Sequence, residues 1–544
     1  MIGILHGKSP FEISMYTFLT LVARVNAAAD GYNRPVIGIN GQWPLPKVEA
    51  NVGDTIVVTA TNKLGNETTS LHWHGMFQTE SNNMDGPIGV TQCGIPPGSS
   101  YTYQFTANPA GSFWYHSHAP GQYPDGLRGP MIIHDPAWEK SLNIEDQYVM
   151  TLSDWYHDQM PGLVNYYLGT QNTDGAEPIP QASLINDKMT ETFKIKPGKR
   201  YLIRIISMSA LAAHYVHFEG HKMQVVAVDG VPVKATDADV INISAAQRYD
   251  VIITGREKAD KNYAFVAAFD PDMFDSVPPT LNMNSDGILQ YSEKAAKPPP
   301  IRDTTFQNVL DDFELTPLDQ QALLGKPTKE ITLSVNFTSY DVGQRAALGE
   351  TPYIGQKVPT LFTALSTGKA ATNPIVYGET VNPHILNKGD IVQITVNNLD
   401  EGNHPFHLHG HNFQVLSRST SQPWQGDASK FPMSPMRRDT VKVPGSGSIV
   451  LRFVADNPGV FLLHCHLDWH VEAGLSVTFI EAPLELQKQF PNGVSEKQKA
   501  MCRKQQIPTE GNCAGNTRDL LDVSQCAQKE RFDATSYESL IKSP

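Results

Sequence analysis

The sequence predicts an all-β protein built from three consecutive sandwich-type domains, and three observations carry that reading. Short β-rich runs recur along the whole chain, among them Thr55-Ile56-Val57-Val58-Thr59, Arg200 to Ile206, Gln224 to Val228 and Ile391 to Val396. Turns of Gly, Pro, Asn and Asp separate them, which is the spacing of sandwiches or barrels. The 41 glycines and 39 prolines are scattered rather than clustered, as a turn-rich β protein requires. Finally, 544 residues are too many for one ordinary domain and suit three.

At the N-terminal end, Tyr16, Phe18, Thr20 and Val22 alternate with their neighbours and predict a first strand. The rival is a poor signal peptide formed by Phe18 to Ala23 and Ala27-Ala28-Ala29, but Arg24 interrupts its apolar core. An internal repeat follows. Gly53-Asp54 leads through a strand to Asn62 and Leu64, and Gly389-Asp390 leads likewise to Asn398 and Leu399. Asn108-Pro109-Ala110-Gly111 runs on to His116-Ser117-His118, and Asn457-Pro458-Gly459 runs on to His464-Cys465-His466. The expected domains are therefore 16–140, 145–300 and 330–485, with 300–330 as a linker and 486–544 as a polar tail holding three cysteines. Amphipathic helices are few; the best is the short run Pro317 to Leu324. No apolar run approaches the roughly 18 residues that span a bilayer, so no transmembrane anchor is expected in this chain.

With 40% hydrophobic and 18% charged residues, wholesale disorder is excluded. A net charge of −13 argues against a nucleic-acid partner and favours attraction of cations. Of the five cysteines, four can form two disulfides if one serves chemistry, which implies an oxidising compartment. Glycosylation sequons at Asn66, Asn242 and Asn336 are about as many as chance supplies and decide nothing.

Eleven of the 18 histidines fall in four short segments: His72-Trp73-His74, His116-Ser117-His118, His404 to His411, and His464-Cys465-His466 with His470. They contain five His-x-His pairs, against roughly 0.6 expected from random placement. Residues i and i+2 of a strand share a face, so each pair aims two imidazoles into one space. Four such pairs supply eight imidazoles, enough for several metals. Cys465 points to the opposite face from His464 and His466, so only backbone separates a metal on the thiolate from metals on the imidazoles. A thiolate with two imidazoles and a weak axial position describes blue copper, and imidazole sets without thiolate suit copper that meets dioxygen. Zinc sites favour closed sets of four ligands, commonly with two or more cysteines, which this pattern does not offer. His411 breaks the pairing and reads as a core or supporting residue; His134, His157, His214, His217, His221 and His384 read as ordinary.

The four segments resemble the copper signatures of the multicopper oxidases, the family of laccases, ascorbate oxidases and ferroxidases, over about residues 16–510. The resemblance implies three cupredoxin-like Greek-key β-sandwich domains with a copper cluster between the first and third. It implies four copper ions, and four one-electron oxidations coupled to reduction of O₂ to two waters. By motif, type 1 copper takes His404, Cys465 and His470, and type 2 takes His72 and His407. One type 3 copper takes His74, His116 and His466; the other takes His118, His409 and His464. Leu475, ten residues after Cys465, stands at the axial position where ascorbate oxidases have Met. Asp85, in Met84-Asp85-Gly86, matches an acid that assists proton delivery in relatives and reads equally well as a turn residue. As in laccase-like relatives, Cys93 is expected to bond to Cys502; Cys513 and Cys526 can pair with each other.

Within the family the chain looks most like fungal ferroxidases of the iron-uptake type, through Gly121-Gln122-Tyr123, Gly175 to Pro180 and Pro435 to Thr440. That likeness implies Fe²⁺ bound by Glu177, Asp275 and Asp400 beside the blue copper. Hard carboxylate oxygens suit iron and favour Fe³⁺. Membrane-bound relatives dock with an iron permease through a transmembrane helix; no such helix is expected here, which leaves an iron permease an open but unsupported partner. Soluble fungal relatives oxidise phenols or aromatic intermediates of pigment and secondary metabolism, which makes a laccase-type oxidase the alternative. A copper-storage role is disfavoured by the complete ligand set. The family implies a secreted or cell-surface protein.

Overall fold

The computed structural model describes residues 14–258 and 261–528; the first 13 residues and the end of the expected tail, 529–544, lie outside the described residues. Six sheets stack as three two-sheet sandwiches. In the first, one sheet has the order Arg34–Ile39, Met15–Ala27, Thr55–Asn62, Ser100–Thr106, and the other Val48–Asn51, Arg128–His134, Gly111–His116, His72–His74. The third sandwich repeats the scheme; its inner sheet runs Pro383–Leu386, Ser476–Glu481, Gly459–Cys465, His404–Leu408, Thr440–Val443. Each sandwich has a parallel pair at the same place in both of its sheets. The pairs are Met15–Ala27 with Thr55–Asn62 and Val48–Asn51 with Arg128–His134 in the first. They are Asp146–Trp155 with Arg200–Ser207 and Thr190–Lys194 with Asn284–Gln290 in the second, and Lys329–Tyr340 with Ile391–Asn398 and Pro383–Leu386 with Ser476–Glu481 in the third.

The repeated Gly-Asp and Asn residues have one physical job in both copies. Asp54 accepts from the Asn51 amide and Asp390 from the Asn387 amide, each at 2.8 Å, closing the turn before the strand. At the other end, Asn62 Nδ2 donates to the carbonyls of Glu67 and Ile95, and Asn398 Nδ2 to those of Gly402 and Pro444. These amides fasten the loop that leads into each His-rich strand.

Residues Met15–Ala27 form a strand, with Thr20 and Val22 buried while Leu19 and Leu21 face outward. The expected helix at Pro317 to Leu324 is absent. The segment is a turn, closed by the Gln320 amide on the Pro317 carbonyl, followed by irregular chain. The Lys234 amide donates to the Thr316 carbonyl at 2.9 Å, the Leu318 amide to Pro232 at 2.8 Å and the Leu323 amide to Met433 at 2.8 Å. A single isolated helical turn is unstable, and bonds to two neighbouring domains outweigh it. The cysteine-bearing segment is folded as far as residue 528. Glu496–Lys504 is a helix with a Ser495/Gln498 capping box, and Met501 enters the first domain's core. Disulfides join Cys93 to Cys502 and Cys513 to Cys526, leaving Cys465 free and buried.

Candidate metal centre

Strand register builds the centre. His72 pairs with His116, and His407 with His464, while Phe406 pairs with Cys465. Opposed residues share a face, so His407 and His464 face the first domain's histidines while Cys465 and His404 face the other way. Potential ligand atoms lie within 4.8 Å of one another in the sets His72/His74/His407, His74/His116/His466, His118/His409/His464 and His404/Cys465/His470.

In four of the cluster histidines the outward ring nitrogen is held by a backbone carbonyl. Nδ1 of His72 donates to the Asp85 carbonyl at 2.8 Å, His116 to Ser117 at 2.8 Å, His407 to Asp439 at 3.0 Å and His464 to Cys465 at 2.8 Å. The inward nitrogens are not. Nε2 of His72, His116, His118 and His407, Nδ1 of His74 and both nitrogens of His466 are buried without a partner. Nε2 of His409 and His464, left as lone pairs by their Nδ1–H bonds, face each other at 3.0 Å. Converging buried lone pairs of this kind form a donor set that a bound cation would satisfy. Burial first, then repulsion among the imidazoles, holds His74, His116, His118, His464 and His466 well below the ordinary histidine range and His409 at about 3. They are neutral, the form that binds metal. The donor set fits copper.

On the opposite face Cys465 Sγ lies 3.5 Å from His470 Nδ1 and 3.8 Å from His404 Nδ1, which are 3.0 Å apart. Burial would raise the thiol, but hydrogen bonds from the two imidazoles overcome it and bring Cys465 down to about 7. Leu475 is fully buried; its carbonyl accepts from the Cys465 amide at 3.1 Å and its amide donates to His470 at 2.9 Å.

The three expected carboxylates are placed differently from one another. Glu177 Oε1 accepts from His470 Nε2 at 2.6 Å, and Asp400 Oδ2 from His404 Nε2 at 3.0 Å. Asp275 is exposed; its carboxyl is raised first by desolvation and then by the fields of Glu177, Asp174 and Asp400. Asp85 is buried, with Oδ2 2.9 Å from His409 Nδ1 and Oδ1 3.3 Å from His72 Nδ1. Burial would raise its pKa, but these two imidazoles hold the carboxyl well below its usual range. The same residue closes a short turn through its amide and the Asn82 carbonyl, as the turn reading expects.

Several residues beside the centre escaped the sequence reading. Asp439 and Thr440, inside the quoted Pro435 to Thr440 run, hold the outer nitrogens of His74 and His407. Asp468, two residues after His466, lines a cavity of about 620 Å³ bordered by His116, His118, His464 and His466, and its Oδ2 has no partner. Burial, then Glu472, pushes that carboxyl well up. Phe337 packs against both imidazoles beside Cys465, stacked 5.8 Å from His404 and edge-on 5.1 Å from His470 between ring centroids. Arg248 had no local signal at all. His411 is tied to Glu481 at 2.8 Å. Among the described residues, it and the six scattered histidines join no group of potential ligands.

Fold and site together define a copper-dependent oxidoreductase. Family models described as multicopper oxidase match residues 21–138, 146–294 and 353–485, and the chain belongs to the multicopper oxidase family. It is 49% identical over 511 residues to the iron transport multicopper oxidase fetC of Epichloe festucae, covering 92% of this chain and 82% of that one. It is 39% identical to the iron transport multicopper oxidase FET3 of Saccharomyces cerevisiae, covering 93% and 81%. Among solved structures, it resembles Fet3p, described as a multicopper oxidase that functions in iron import. The TM-score is 0.91 at 38% identity, over 94% of this chain and 98% of that one. The laccase of Botrytis aclada follows the same fold at TM-score 0.78 and 27% identity, over 90% and 91%.

Proposed function

We propose that the protein is a ferroxidase that oxidises Fe²⁺ and delivers the electrons to dioxygen, four per O₂ reduced to two waters. One observation carries the choice of iron: the outer Nε2–H of each blue-site imidazole donates to a carboxylate, His470 to Glu177 and His404 to Asp400. Iron held at Glu177, Asp275 and Asp400 would be one hydrogen bond from the ligands that accept its electron. Anionic oxygen donors stabilise Fe³⁺ over Fe²⁺, so binding itself strengthens the reductant. The iron-transport names of the relatives support the same reading.

Four coppers are assigned: one at His404, Cys465 and His470; one at His72 and His407; and a pair at His74, His116 and His466 and at His118, His409 and His464. When bound, they supply one-electron redox chemistry and the reduction of dioxygen. The protein's part is connection, orientation and proton supply. Cys465 is bonded through backbone to His464 on one side and His466 on the other, joining the substrate-facing ligands to the dioxygen-facing ones. Asp85 fixes His409 and His72 and holds an acceptor for protons beside them. The divisions 16–140, 145–300, 330–485 and 486–544 are proposed as the domain plan. Two disulfides support an exported or cell-surface location. No helix among the described residues is long and apolar enough to cross a membrane.

Steady-state kinetics with Fe²⁺ and a set of phenols tests the proposal. A kcat/KM for Fe²⁺ well above that for any phenol is expected; the reverse order would promote the laccase-type reading.

A further inference from the structure

The middle domain supplies none of the proposed copper ligands, yet one of its side chains grips a residue that holds two of them. Arg248 opens the strand Arg248–Thr254 and is fully buried where the three domains meet. Its Nε donates to the Ser112 carbonyl of the first domain at 3.0 Å, and Nη1 to the Ala246 carbonyl of its own at 2.8 Å. Toward the third domain it forks onto Asp439, with Nη1 2.7 Å from Oδ1 and Nη2 bonded to Oδ2. A two-pronged grip fixes both the position and the plane of a carboxylate.

Asp439 in turn governs two imidazoles. Its carbonyl accepts from His407 Nδ1 at 3.0 Å, and its Oδ1 lies 3.5 Å from both His407 Nδ1 and His74 Nε2. Oδ1 also accepts from Thr440 Oγ1 at 2.8 Å, and that hydroxyl stands 3.3 Å from His74 Nε2 and 3.2 Å from His407 Nδ1. The two rings stack at 3.8 Å between centroids. What remains free is His407 Nε2 and His74 Nδ1, both buried and without partners. His74 is thus turned with Nδ1 inward, whereas His72, His116, His118 and His407 leave Nε2 inward.

We propose that Arg248 is a positioning residue: by clamping Asp439 it sets which nitrogen of His74 and of His407 faces the cluster. The middle domain thereby shapes a metal site to which it contributes no ligand. Partners behind metal-bound histidines commonly act in this way. The inference rests on the reading of His74 and His407 as copper ligands.

The test compares holoenzymes carrying Arg248→Lys, Arg248→Gln and Arg204→Lys. Arg204 is a buried arginine of the same domain that binds Ser112, Asp250 and Glu139 but no imidazole. Copper per chain after dialysis against a chelator, the electron paramagnetic resonance of the non-blue copper, the blue absorption and Tm are measured. For either Arg248 variant, non-blue copper should be held about 10- to 100-fold more weakly, with an altered resonance and the blue band kept. Arg204→Lys should lower Tm and leave every copper signature unchanged. If Arg248→Gln does not fold, Arg248→Lys, which keeps the buried charge, carries the comparison. An Arg248→Lys protein with lowered Tm but wild-type copper content and resonance would overturn the proposal and leave Arg248 a clamp between domains. A wild type lacking non-blue copper would instead sink the ligand reading beneath it.

Discussion

Glu177 Oε1 lies 2.6 Å from His470 Nε2, while Nδ1 of the same ring is 3.5 Å from Cys465 Sγ. One imidazole therefore spans from a half-buried carboxylate to the buried thiol. Asp400 and His404 repeat the arrangement at 3.0 Å and 3.8 Å. The proposed blue-copper site thus has an acid, not a bare imidazole edge, on the outer side of each histidine.

Replacing Cys465 by Ser should abolish the blue colour and the oxidase activity while the fold survives. The side chain is buried and the change is nearly isosteric, so the core loses little volume. Absorption spectroscopy and circular dichroism check it; a variant that stays blue would remove Cys465 from the site.

Phe337 covers the two imidazoles from the strand Lys329–Tyr340 and is only half-buried. Phe337→Ala should admit aromatic reductants and raise kcat/KM for a phenol by about tenfold, corresponding to about 1.4 kcal/mol. Fe²⁺ oxidation should change far less. Unchanged phenol kinetics would mean the ring does not restrict access.

Leu475 offers no donor atom. Supplying a thioether through Leu475→Met should lower the blue-site potential and slow the oxidation of reluctant substrates. Redox titration of the blue band measures it, and an unaltered potential would show that this position does not face the metal.

The Cys93–Cys502 bond closes a loop across 409 residues and ties the first domain to the helix Glu496–Lys504. Its removal by Cys93→Ser/Cys502→Ser should cost about 2–5 kcal/mol of stability, with the blue spectrum retained. Denaturant unfolding under equal conditions provides the comparison.

Much of the fold and of the histidine arrangement was legible because its signals are local. A His-x-His pair on a strand, a Gly-Asp turn and an Asn at a strand end each express themselves within a few residues. Pro317 to Leu324 misled because its pattern is helical while its bonds are tertiary, to Pro232 and Met433. Arg248 and Asp439 stand 191 residues apart, and neither spacing nor composition marks a pair made by the packing of separate domains. Phe337 reads as one more inward strand residue until the imidazoles beneath it are seen. The three carboxylates rested on likeness alone, since a solvated turn acid looks the same in sequence.

The central claim is that carboxylates at the blue site make iron the substrate. The most direct measurement is kcat/KM for Fe²⁺ and for a phenol in Glu177→Ala/Asp400→Ala, beside the blue absorption. Loss of both acids removes hard ligands and the charge that favours Fe³⁺. Fe²⁺ efficiency should therefore fall about 10- to 100-fold, the equivalent of about 1.4–2.7 kcal/mol, with the phenol rate and colour nearly unchanged. Equal loss for both substrates, or no loss for iron, would contradict the account.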